Sequence, residues 1–163
     1  MSRQVSELET ILQQLIAEHR KLLVFLQTQQ VSMKLCDLKK MDDTAIGAEA
    51  CRLRIVSADQ RRRLICGQIA AQMKFQGALT IAHIAAAFPA RAETLMKLRA
   101  ELKSVAEQVK TKSYIAGRVA GAVLGHLNTV VRLVSGAVGK AGVYTKRGVP
   151  RMTNRIGVME AVG

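Results

Sequence analysis

The chain has 163 residues, with 25 Lys and Arg against 12 Asp and Glu, so one domain with its own core is affordable in length and the net charge is +13. Apolar residues make up 49% of it and are almost all aliphatic, with no Trp, two Tyr and three Phe. That composition excludes wholesale disorder and argues against a base-stacking nucleic-acid surface.

Alternating steps of three and four from Val5 visit Leu8, Leu12, Leu15, His19, Leu22, Leu26, Gln29, Met33, Cys36 and Lys40. Eight of these eleven positions are apolar, and Ile11, Ile16, Leu23 and Phe25 widen the stripe. The pattern predicts a long amphipathic helix from about Ser6 or earlier to near Met41. Asp42-Asp43-Thr44 then reads as a polar break and as the N-cap of a second helix reaching Lys74. The seam of that helix is Cys51, Ile55, Ala58, Arg62, Ile65, Ile69 and Met73, with Gln76-Gly77 as its stop. Arg61, Arg62 and Arg63 are consecutive, point in three directions and do not form one patch.

Thr80 caps a short helix that ends at Phe88-Pro89. A third long helix starts near Arg91, on the seam Leu95, Leu98, Leu102, Val105, Val109, Lys112, Ala116, Val119, Val123, His126, Val130, Leu133 and Ala137. In its second half Gly117, Gly121 and Gly125 recur, each costing about 1 kcal/mol of helix propensity relative to Ala. They mark a segment that orders against a partner or packs closely within the monomer. From Ser135 onward repeated glycines break the pattern, leaving a basic tail with Tyr144, Lys146, Arg147, Arg151 and Arg155, and at most one helical turn near 156–161.

The expectation is an all-α fold: an elongated bundle of three long helices plus one short helix, with a flexible C-terminal tail. Residues 1–138 form the helical domain and 139–163 the mobile basic tail.

Catalytic chemistry is not legible. His19, His83 and His126 sit in different elements without carboxylates at ligand spacing, and Asp42-Asp43 reads as a cap rather than a dyad. No phosphate-binding glycine motif occurs. Cys36, Cys51 and Cys66 are an odd set with no zinc-type spacing. Neither an enzyme nor a cofactor or metal site is expected. The opening turn lacks an apolar signal region, and Arg118, His126, Asn128 and Arg132 interrupt the most apolar stretch. The reading is a cytoplasmic protein without membrane insertion that binds another protein. Residues 1–102 carry 15 basic and 10 acidic side chains, and residues 103–163 carry 10 and 2, so the excess charge concentrates in the last third.

The order of elements carries a resemblance. A long helix leads to a second reading EACRLRIVSADQRRRLI over 49–65, then to ALTIAHIAAAFP over 78–89. A long helix opening ETLMKLRAELKSVAEQV follows, and the tail holds Tyr144-x-x-x-Gly148. Over almost the whole chain this resembles the FlgN family of flagellar type III export chaperones. Glu49 with Arg61–Arg63 matches the family's second helix, and Tyr144 with Gly148 its tail element. Two features depart from the family: Lys110-Thr-Lys-Ser-Tyr114 stands where a pair of Asn is common, and the chain is unusually basic.

The resemblance implies a chaperone that binds the C-terminal amphipathic helix of hook-associated proteins of the hook–filament junction. It prevents premature assembly and delivers its client to the flagellar export gate, where the tail tyrosine docks. Small-molecule substrates are not implied. The residues point to a place for the client: Ala116, Val119, Val123, Leu127, Val130 and Val134 share one apolar face of the third long helix. Arg118, Arg132 and Lys140 flank it and favour an acidic client. Two other classes stay open: a basic helical nucleic-acid or anion-binding protein, against which the lack of a helix-turn-helix or RNA motif counts, and a structural coiled-coil oligomer.

Overall fold

In the computed structural model, which describes the backbone of residues 2–141 and the side chains of residues 2–135, four helices follow one another and no strand occurs among the described residues. They are α1 (Ser2–Leu35), α2 (Leu38–Gln72), α3 (Ile81–Ala87) and α4 (Pro89–Ala141). The chain divides within α4 into two units, Met1–Val119 and Ala120–Gly163. α4 continues as helix through 135–141, where the glycines are expected to break the pattern; the rest of the expected tail, and the turn at 156–161 with it, lies outside the described residues.

The sequence reading runs α1 to Met41, but the chain turns six residues earlier. Cys36 adopts a left-handed φ of 53°. The Asp37 N–H bonds the Ser32 carbonyl at 3.0 Å and the Cys36 N–H the Met33 carbonyl at 3.3 Å. This double bond pattern is a Schellman stop built without glycine. Asp37 then caps α2, its carboxylate accepting from the Lys40 N–H at 3.0 Å, and the 42–44 segment continues the helix. Thr44, expected as a cap, instead donates its hydroxyl to the Lys40 carbonyl at 2.7 Å.

The end of α2 repeats the device. Lys74 takes φ 51°, Phe75 N–H reaches the Ala70 carbonyl and Lys74 N–H the Ala71 carbonyl. The helix thus stops at Gln72, ahead of Gly77, whose φ of 104° serves the loop that follows. Thr80 caps α3 as expected, in a reciprocal box with His83. Pro89 opens α4 at its first position, where a missing N–H costs nothing, two residues before the expected start at Arg91.

In the first unit α1 and α2 pack as an antiparallel hairpin, with Glu18 of α1 paired to Arg54 of α2. Ion pairs Arg91–Glu9 and Arg20–Glu101, each at 2.5 Å, set α4 parallel to α1. The main core joins Val5, Leu8, Ile11, Leu12, Leu15 and Ile16 of α1 to Ala58, Ile65 and Ile69 of α2, Ile84 of α3, and Leu95 and Leu98 of α4. Each fully buried aliphatic side chain there stabilises by about 1.5–3 kcal/mol relative to exposure. A second cluster gathers Leu22, Leu26, Ala48, Cys51 and Ala116, with Phe25, Ile55 and Val109 against it. The predicted seams of α1 and α2 are therefore core over most of their length.

Candidate binding surfaces

Alternating steps along α4 keep one face apolar from Leu95 to Leu133, yet its burial changes abruptly. Leu95, Leu98, Val105 and Ala116 are buried, and Ala116 is the last buried side chain among the described residues of this helix. Val119, at the end of the first unit, is 36% exposed. In the second unit Val123, Leu124, Leu127, Val130, Val131, Leu133 and Val134 are all exposed, from 40% at Val123 to 68% at Leu133.

The six residues read as a client face therefore fall into two environments. Ala116 packs in the second core cluster, beside Leu22 and Leu26. Val119, Val123, Leu127, Val130 and Val134 lie in the open. Steps of four, four, three and four bring these five to one side of the helix. Gly117, Gly121 and Gly125 fall on the other side by the same periodicity, and a Cβ built at any of them meets nothing within 4 Å. Close packing thus does not explain the glycines among the described residues. Tyr144 and Gly148, read as the docking element, lie outside the described residues.

A second surface belongs wholly to the first unit and was not foreseen. A trough of about 680 Å³ has Leu15 and His19 of α1, Ile55 and Asp59 of α2, Ile81 of α3, and Leu102 and Ala106 of α4 in its walls. Arg62 and Arg63 of α2 and Arg99 and Lys103 of α4 also line it. Concavities shared by four elements leave no one-dimensional signal, which is why periodicity misses this one.

The electrostatics of the trough are partly settled internally. Asp59 accepts from Arg62 at 2.7 Å and Arg63 at 2.8 Å, three and four residues further along α2. Burial pushes the Asp59 carboxyl up, but the two guanidinium bonds and charges outweigh it and bring it below the usual range. The Arg61–Arg63 run, expected to point in three directions, instead brings two of its members, Arg62 and Arg63, to one carboxylate. His19 bonds the Leu15 carbonyl through Nδ1 at 2.7 Å, His83 completes the α3 cap, and His126 is exposed.

Beside the trough, Glu18 is almost fully buried and receives Lys21 at 2.8 Å and Arg54 at 2.7 Å. The Lys21 bond lowers the Glu18 carboxyl below its ordinary value; burial opposes this, and the bond and charge of Arg54 add to it. Of the Glu18 and Asp59 pairs, Glu18–Arg54 joins α1 to α2, and each of the others lies within one helix. No helix among the described residues is long and apolar enough to cross a membrane.

The FlgN protein family matches residues 1–151, the range that contains all four helices and both Tyr144 and Gly148. The chain belongs to the FlgN family. Neither a curated protein nor a solved structure matches it. Membership supports a flagellar export chaperone role, and the FlgN family is one of chaperones rather than enzymes.

Proposed function

We propose that this FlgN protein acts in the cytoplasm as the chaperone of hook-associated proteins of the hook–filament junction, holding the C-terminal amphipathic helix of its client on the exposed face of α4. The observation that carries the reading is the uncovered row Val123, Leu127, Val130 and Val134, each at least 40% exposed. A contiguous aliphatic face of this kind is an aggregation hazard unless something covers it. A client helix with apolar residues at i, i+3, i+4 and i+7 fits it by helix-in-groove recognition, and covering the face hides the client's own sticky surface. Arg118 and Arg132, read as flanking this face, fall toward the other side of the helix by the same periodicity, so the choice of client rests on the apolar row. Delivery to the export gate is assigned to Tyr144 and Gly148, which resemble the family's tail element and fall within the matched residues 1–151.

The test is calorimetric titration of the chaperone with the C-terminal segment of a hook-associated protein. Val123→Asp with Val130→Asp places two charges on exposed positions, so the double variant stays folded and loses client binding. Methyl NMR in the same titration locates the contact. Shifts at Leu127, Val130 and Val134 support the α4 face; shifts confined to Ile55, Leu102 and Ala106 move the client to the trough. Client binding unchanged in the double variant sinks the assignment.

A further inference from the structure

The second unit pairs its bare aliphatic face with an unusual charge pattern. From Gln108 to Met159 the sequence contains nine Lys and Arg and no Asp or Glu. Five of the nine, Lys110, Lys112, Arg118, Arg132 and Lys140, fall within α4. Over residues 120–135 all seven large aliphatic side chains are exposed. The side of the helix away from Val123 and Val130 carries Gly121, Gly125, Asn128 and Arg132. An apolar face, a small polar and cationic back, and no carboxylate are the attributes of a helix that lies in a membrane interface. No helix of the described chain can span a bilayer, so adsorption in the plane is the geometry available.

We propose that the distal part of α4 is a membrane-surface helix that seats Val123, Leu127, Val130 and Val134 at the acyl boundary of an anionic bilayer, with Arg118 and Arg132 held by lipid phosphates. Charge decides for an anionic lipid surface over a neutral one. Each basic residue near such a surface strengthens binding roughly fivefold, and an acid-free segment offers no opposing repulsion. The exposed glycines favour the same occupant. They make the helix weak in water, so ordering it is coupled to the surface that shields its apolar side. The proposal uses the face assigned above to the client but does not depend on that assignment. If both hold, bilayer and client exclude each other, and an anionic membrane unloads the chaperone.

The chain lacks Trp, so Leu127→Trp gives one reporter at the centre of the face. The full-length reporter is mixed, without client, with vesicles of phosphatidylcholine containing roughly 30% phosphatidylglycerol, and with phosphatidylcholine alone. The expected result is a blue-shifted emission quenched by brominated acyl chains, with binding at least about tenfold tighter to the anionic vesicles and weakened by salt. Arg118→Glu with Arg132→Glu lowers that affinity by at least about tenfold. Val123→Asp with Val130→Asp, made in the reporter chain, abolishes the blue shift. Absence of binding to anionic vesicles overturns the proposal, and so does equal binding to neutral ones. Unquenched emission in the bound state also overturns it, because the chain then adsorbs by charge without seating the helix. These readings need no client, so failure here leaves the chaperone assignment standing, and failure of client binding leaves this one standing.

Discussion

Glu18 shows how a single carboxylate ties two helices together while its partners stay wet. Its side chain is 8% exposed, whereas Lys21 and Arg54 are 59% and 49% exposed. Removing the carboxylate lets both cations rehydrate, so the loss stays near the low end for charge-assisted bonds, about 1 kcal/mol for Glu18→Gln at neutral pH. The folded carboxyl lies below its ordinary value, which fixes the sign of the pH dependence. Its contribution is present in full above the ordinary glutamate range, about pH 4.3, and is lost as pH falls through the lower folded value. Denaturant titrations of Glu18→Gln between neutral and acidic pH therefore show a flatter acid limb than the parent. An unchanged slope would mean that the pair adds no acid sensitivity.

Two kinds of glycine separate cleanly at the scale of a helix. A Cβ at Gly47 of α2 would overlap the ring of Phe25 on α1, whereas Gly117, Gly121 and Gly125 of α4 face open space. Gly47→Ala is expected to destabilise by about 1–2 kcal/mol, the overpacking cost exceeding the gain in helix propensity. Replacing the three α4 glycines together by Ala strengthens that helix by up to about 3 kcal/mol, summed from propensity alone. Circular dichroism melts read the first change, and slower amide exchange over 117–135 reads the second. If both sets respond alike, the contrast in packing is not what distinguishes them.

The helices were legible in the sequence where a 3.6-residue period meets a real core, as at Val5 to Leu26 of α1 and Ala58 to Ile69 of α2. Their ends were less so. Turns are sought at Gly, Pro and polar clusters, and both long-helix stops here use a side-chain-bearing residue, Cys36 and Lys74, in the left-handed region. On α4 the apolar period continues unchanged across the point where burial ends, because periodicity records which residues share a face and not whether that face is covered. Ala116 and Val123 look alike in sequence, yet one is 6% exposed and the other 40%. The trough was illegible for a related reason, since Leu15, Ile55 and Leu102 lie far apart along the chain.

At the scale of the whole molecule the charge is carried unevenly along the chain. The first 102 residues hold 10 of the 12 acidic groups, and these include every carboxylate in the ion pairs described. Residues 103–163 carry ten cations against two carboxylates, and the exposed aliphatic residues fall within the same stretch of sequence. On the chaperone reading, Tyr144 belongs to delivery rather than to stability. Tyr144→Ala is thus expected to leave the melting temperature nearly unchanged and to reduce export of the client in a secretion assay. A drop of several degrees would assign Tyr144 to packing and remove the docking role.

The two ion pairs between α1 and α4 have an order that matters beyond their strength. Glu9 meets Arg91 and, one stretch further on, Arg20 meets Glu101, so the signs are swapped between the two contacts. The exposed Arg20–Glu101 pair adds only about 0.2–1 kcal/mol to the native state, whereas Glu9 of the other pair is buried. Sliding α4 back along α1 by eleven residues, a shift that restores the same apolar face, would bring Arg20 opposite Lys112 and leave Glu9 beside Leu102, next to Glu101. Both attractions are lost in that one step, and one of them becomes a repulsion. A helix pair with a repeating aliphatic seam has little else to tell one register from the next, and these four side chains make the wrong one carry its own electrostatic penalty.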